Sequence, residues 1–265
     1  MPFPEYERTV YDENPIIEVV CQFRVPPILK ITAEIPAYFQ DRIRGMYPEL
    51  KTNVRSNLPL DVLQQLPQQI IDLLTPNTTE NFYDFISNDE SWIVSLNTRF
   101  LALTAKSYKN WNEFLAHLKE PFEAFVEVYK PAHFARVGLR YQNLIKRSDW
   151  GIEEIPWAKL LNPRLAGVVG DPDVGNEVRE ALTQTVIDLN DSQTGKVKIR
   201  HGLVRRVEGE TTDEEVSFLI DYDLFIDEAT EIEDGLNILE EFHSQSGRVF
   251  NWCISNDFRN AMARK

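Results

Sequence analysis

Cysteine is nearly missing from this sequence: there are two, Cys21 and Cys253, far apart along the chain. That rules out a disulfide framework, and the pair has no thiolate-ligand spacing. Histidine is almost as scarce, and His117, His133, His201 and His243 show neither HExxH nor a Cys–His ligand pattern. The eleven glycines include no GxGxxG, GK[ST] or GxSxG arrangement, the signatures of dinucleotide binding, of P-loops and of nucleophile elbows. No apolar run approaches membrane-spanning length. Met1-Pro2-Phe3-Pro4-Glu5 lacks the basic segment and apolar core of a secretory signal. The expectation is a cytoplasmic protein with reduced thiols, no membrane association, no cofactor, no metal site and no recognisable catalytic residue.

Basic residues are in the minority. Lys and Arg number 28 against 42 Asp and Glu, a formal net charge of −14. Indiscriminate attraction to nucleic acid or anionic lipid is disfavoured, so any polyanion site must be local. With 265 residues, 43% of them hydrophobic, the chain can bury a large core.

What is present is an order of elements that occurs twice: an extended strand, a helix, a run of strands with tight turns, then a long amphipathic helix. Residues 16–25 alternate, with Ile17, Val19, Cys21, Phe23 and Val25 on one side. The spacing then predicts a helix over 33–47 with Pro36 in its first turn, a strand over 51–58, and a short helix or a loop over 61–74. Strands are expected at 81–87, 91–97 and 99–106. Trp111, Phe114, Leu118, Phe122 and Phe125 mark a helix capped by Asn110 and closed by Pro131. The second pass opens with a strand over 134–141. A short helix near 153–161 and an irregular, glycine-bearing 162–176 follow. Strands are predicted at 183–190, 195–207 and 215–227, the last two joined by an acidic turn from Glu208 to Glu215. A helix from Glu233 to Met262 completes the pass, with Asp234 as its cap and a weak point at Gly247. The expected fold is α+β: two units, 1–132 and 133–265, packed as one body. Each has antiparallel strands in one layer and helices on one side.

Three segments resemble an uncharacterised, sporadically distributed prokaryotic family of proteins of about this length. They are Asn14-Pro15-Ile16-Ile17-Glu18, the run from Phe134 to Asn143, and the helix carrying Leu239, Phe242, His243, Phe250, Ile254, Phe258 and Met262. The family's Asn-Arg pair after the central strand is altered here, where Leu144-Ile145-Lys146 follow Asn143. No activity comes with this resemblance, but the patchy distribution resembles that of defence-associated genes and implies an accessory role in prokaryotic immunity. The element order is also similar to that of TBP-like pseudo-duplicated folds, an analogy that carries no function.

Candidate site residues lie on two strands. Lys196, Lys198 and Arg200 alternate along one side, and Arg136 and Arg140 do so on the strand that opens the second half. Five cations on one face would cradle phosphates. Asp188, Asp221 and Asp223 on neighbouring strands would instead neutralise them, each cross-strand pair being worth about 0.2–1 kcal/mol, and this ion-paired face is the favoured reading. Asp221 and Asp223 also have a spacing suited to a divalent cation. Gly167 to Gly175 follows no strand and reads as a mobile loop rather than a phosphate loop. The sequence points to a non-enzymatic binding or adaptor protein with a protein partner. A nucleic-acid or nucleotide module using the basic face is the alternative, and a hydrolase built on Asp221 and Asp223 is the weakest reading.

Overall fold

In the computed structural model the described residues are 1–6, 13–56, 79–189, 195–208 and 211–263. Period-two patterning produces the strands expected from it: β1 (Ile16–Arg24), β2 (Glu49–Ser56), β3 (Thr79–Ile86), β4 (Trp92–Asn97), β5 (Phe100–Ala105), β6 (Arg136–Ile145), β7 (Ala181–Asp188), β8 (Lys196–Glu208) and β9 (Thr211–Ile226). They form a nine-stranded sheet in the order β2-β3-β4-β5-β1-β6-β9-β8-β7. Pairing is antiparallel from β2 to β5 and from β7 to β9. The fold is α+β, as expected. Neighbours run β3-β4-β5-β1 in one stretch and β7-β8-β9-β6 in the other, with β2 added outside β3.

Side-chain oxygens build the tight turns. Asp89 accepts from the Ser91 amide at 3.2 Å and from Ser87 Oγ at 2.6 Å, while Glu90 takes the left-handed φ of 57°. Asn97 Oδ1 accepts from the amides of Arg99 and Phe100 and closes the β4–β5 hairpin. The β8–β9 hairpin is longer than expected, since Glu208 still pairs with Thr211 past a register shift between Arg205 and Val207. The irregularity absorbs two extra residues on β9 and the ladder continues, so the acidic stretch after Glu210 is strand rather than turn. The expectation for 61–74 lies outside the described residues.

The chain divides into two compact units, one of Val20–Val137 with Ala229–Gly235 and one of Met1–Val19, Gly138–Glu228 and Leu236–Lys265. In the first, the helix predicted over 33–47 is two pieces, α1 (Lys30–Ala33) and α2 (Ala37–Ile43). The chain is extended at Glu34 and restarts as helix only after Pro36, and proline disfavours helical geometry at Ile35, the residue between them. The long helix α3 (Trp111–Tyr129) begins where Asn110 Oδ1 accepts from the Glu113 amide at 3.0 Å and ends at Lys130 in the left-handed conformation. Its apolar face lies on the strands, with Phe122 4.9 Å from Phe23 and the His117 ring stacked 3.9 Å from Trp92.

Pro121 lies inside α3. Lacking an N–H, it leaves the carbonyl of His117, four residues earlier, without its helical donor. The hydroxyl of Tyr47, fully buried, donates to that carbonyl at 2.9 Å. The hydroxyl has only one proton, so its 3.1 Å contact with His117 Nδ1 requires Nδ1 to be the donor.

Among the described residues of the second unit, α-helix comprises α4 (Trp157–Leu160) and α5 (Pro163–Ala166) between β6 and β7, and α6 (Gly235–Cys253) and α7 (Asn256–Met262) after β9. The helix expected to run unbroken to Met262 passes through Gly247 and breaks instead at Ile254–Ser255. The last carbonyls of α6 find other donors: Arg259 Nη1 reaches Asn251 at 2.7 Å, Asn162 Nδ2 reaches Trp252 at 2.8 Å, and the Asn162 amide reaches Cys253 at 2.9 Å. Ser255 then caps α7 through the Phe258 amide. Along these helices lies the N-terminal segment: Phe3 is buried 5.2 Å from Trp252, Glu5 binds Arg248 at 3.0 Å, and Arg259 lies over the Tyr6 ring.

Tyr47→Phe removes the substitute donor and is expected to cost about 2 kcal/mol. In a Pro121→Ala background, where residue 121 again supplies an N–H, the same change should cost less than half as much. Denaturant unfolding of the four proteins in a double-mutant cycle measures this coupling.

Burial pushes the His117 pKa down. A depressed imidazole stabilises the fold above the unfolded value of about 6.5, and that contribution is lost as pH falls through it. The stability difference between wild type and His117→Gln should therefore shrink between pH 7.5 and pH 5.5, the assay range chosen around that value. A difference that grows would contradict the assignment.

Candidate binding face

Strand β8 turns Val197 and Ile199 inward, where they are buried, and Lys196, Lys198 and Arg200 to the other face. The ladder then fixes their neighbours. Lys196 stands opposite Asp188, Lys198 opposite Asp223 and Arg200 opposite Asp221, the juxtaposition expected from the sequence.

The bonds are distributed more selectively than the register. Asp221, its side chain 4% exposed, is held at both oxygens by Arg140, Nε to Oδ1 and Nη2 to Oδ2, each 2.7 Å. This fork geometry is the strongest carboxylate contact that a side chain offers. Arg200 Nη1 stands 3.9 Å from Oδ2 of the same carboxylate. The hydrogen bond to Asp221 raises the Arg140 pKa against the opposing effect of burial. Lys196 bonds Asp227 at 2.8 Å, and that bond raises its pKa, with Asp188 and Glu228 adding smaller attraction. Lys198 Nζ lies 5.9 Å from the centre of the Phe225 ring.

Four of the five proposed site residues, Arg140, Lys196, Lys198 and Arg200, thus fall in the Gly138–Glu228 segment, and Asp221 joins two of them. Arg136 opens β6 in the other unit, half-buried. Asp227 is a partner that the alternation along β8 does not single out. It lies two residues beyond Phe225, the direct partner of Lys196, where the diagonal-neighbour rule would find it.

Asp221 is unsuited to the acidic metal site considered above, because Arg140 occupies both of its oxygens. Among the described residues no cluster of three His, Cys, Asp or Glu is arranged to hold a metal ion, and no helix is long and apolar enough to cross a membrane. In the glycine-bearing segment, Asp171 Oδ1 accepts from the amides of Asp173 and Val174. Its amides therefore close a local turn rather than converge on an anion. A Cβ on Gly175 would stand 2.6 Å from the Val169 carbonyl oxygen, so the glycine serves close packing there.

The other chemical candidates are core groups. His243 Nδ1 meets the Tyr141 hydroxyl at 3.0 Å, and burial lowers the pKa of His201. Cys21 and Cys253 are buried and unbridged. Desolvation pushes the Cys21 thiol up to about 12 and raises Cys253 as well, which leaves both as inert packing groups. No family model matches the chain, and no curated protein matches it.

Arg140→Ala leaves a buried carboxylate with only the distant Arg200 guanidinium, and should cost about 2–3 kcal/mol, the low end for a broken buried pair because Arg140 is itself 35% exposed. Arg200→Ala should cost less than about 1 kcal/mol. Chemical denaturation of both variants checks the ranking, and equal losses would show that the two arginines share Asp221 evenly.

Proposed function

We propose that this protein is a non-enzymatic binding or adaptor protein that meets a protein partner on the strand face formed by β6, β9 and β8. The observation that carries this reading is the register: Lys196, Lys198 and Arg200 each stand opposite a carboxylate, and Arg140 is committed to Asp221. A face of alternating charge complements another protein's mixed surface and gives a uniform polyanion little net attraction. The resemblance to a patchily distributed prokaryotic family supports a cytoplasmic, accessory role in a defence system. The matching neighbour orders β3-β4-β5-β1 and β7-β8-β9-β6 support an origin by internal duplication.

One observation favours a second reading, a nucleic-acid or nucleotide module. Arg200 is 42% exposed and stands 3.9 Å from a carboxylate that Arg140 already holds, so its guanidinium has capacity for a phosphate.

Replacing Lys196, Lys198 and Arg200 together by Gln separates the two. For a protein-binding face, affinity capture from nuclease-treated host lysate should recover a partner with wild type and lose it with the triple variant. Purified wild type should show no salt-dependent oligonucleotide binding. Binding to an oligonucleotide that weakens with salt and disappears in a normally melting triple variant would overturn the protein-partner reading in favour of the second.

A further inference from the structure

Among the described residues strand β7 ends the sheet order and pairs only with β8, so every second residue along its outer side offers an N–H and C=O outside the ladder. Both of its faces are exposed. Leu182 is 55% and Val186 51% exposed on one, and Thr183 and Thr185 are exposed on the other. Proteins blunt such edges with lysine, proline or a bulge. From Ala181 to Ile187 β7 has no charge and no proline, its ladder with β8 runs without a register shift, and the register shift of β8 against β9 lies beyond it, between Arg205 and Val207. The opposite edge, β2, carries Glu49 and Lys51.

The sequence of β7 is nearly symmetric about Gln184. Thr183 and Thr185 flank it, Leu182 mirrors Val186, and Ala181 mirrors Ile187. Antiparallel pairing about a two-fold axis through Gln184 places Leu182 against Val186 of the second copy twice, on the face shared with the β8 cations. Ala181 meets Ile187 and threonine meets threonine on the other face. Like meets like chemically, and the contact closes on itself. Within this span no charge faces another. Only at its ends does Asp188 meet Glu180 of the second copy, and Asp188 has Lys196 across from it on β8.

We propose that β7 is an isologous dimerisation edge, through which two copies of this chain join their sheets by antiparallel β7–β7 pairing centred on Gln184. The proposal is independent of which ligand the charged face takes. The contact is made by backbone and uncharged side chains between molecules of net charge −14. Association should therefore strengthen as salt screens the repulsion.

Light scattering on the size-exclusion peak of the full chain should give twice the chain mass, with the dimer fraction rising with concentration and with salt. Gln184→Glu sets two carboxylates together at the two-fold axis, while in each chain the new carboxylate faces Arg200 across the ladder. It should give a monomer that melts no lower than wild type, so loss of the dimer cannot be mistaken for loss of fold. Gln184→Cys should cross-link to a covalent dimer on mild oxidation, since directly opposed strand residues fall within disulfide reach. Leu182→Cys, which would face Val186, should not, and both native thiols are buried. The proposal is overturned by a monomer at all concentrations, as a β7 edge reserved for another protein would give. Open-ended oligomers, from β7 pairing with β2, overturn it too, as does a dimer that weakens with salt or cross-links equally well through Leu182.

Discussion

A slip of β8 by one residue against β9 would turn Val197 and Ile199 to the open face and drive Lys198 and Arg200 into the core. Side chains alternate with a period of two, so register is all or nothing, and here burial on one face fixes charge on the other. The apolar residues choose the register because their transfer from water stabilises the sheet by more than exposed ion pairs do. The charges inherit it. Asp221 can be buried because β6, on the other side of β9, places Arg140 beside it, and an unpaired carboxylate at that depth would be too costly to keep. The charged face is thus a by-product of the core.

The interior of α3 shows the same dependence of polar on apolar packing. Pro121 sits in the buried stripe of the helix, where its ring adds apolar surface and its missing N–H leaves a carbonyl in need of a donor. Tyr47 provides that donor only because α2 ends where it does, delivering the phenol against His117. Tyr47 is followed by Pro48, and the chain then leaves for β2. A helix running on through 47, as spacing alone suggests, would point the hydroxyl elsewhere. The short broken helices around Pro36 are therefore part of how α3 tolerates its proline.

Strands such as β1 and β8 were legible from alternation because one face of each is buried and the other is not. Asn110 and Asn97 could be read as cap and turn because their side chains act locally. The opposition of Asp188, Asp221 and Asp223 to the β8 cations was also readable, since hairpins fix which residues meet. What could not be read depends on partners distant in sequence. Helix α6 breaks at Ile254 because Asn162 and Arg259 are in place to take its last carbonyls, and nothing near Ile254 announces them. The choice of Arg140 over Arg200 as the partner of Asp221 likewise comes from the geometry of β6 against β9, two strands 66 residues apart in the chain between Ile145 and Thr211.

The segment holding Phe3, Glu5 and Tyr6 rests on Trp252, Arg248 and Arg259, a contact that spans 243 residues between Glu5 and Arg248. These side chains are synthesised well before Arg248 and Trp252 and must wait for their seat. During translation Phe3 stays wet until α6 and α7 have left the ribosome, so closure of this contact comes late in folding. Until then the surface of α6 around Trp252 is an uncovered apolar patch, and a place where a chaperone would find the folding chain.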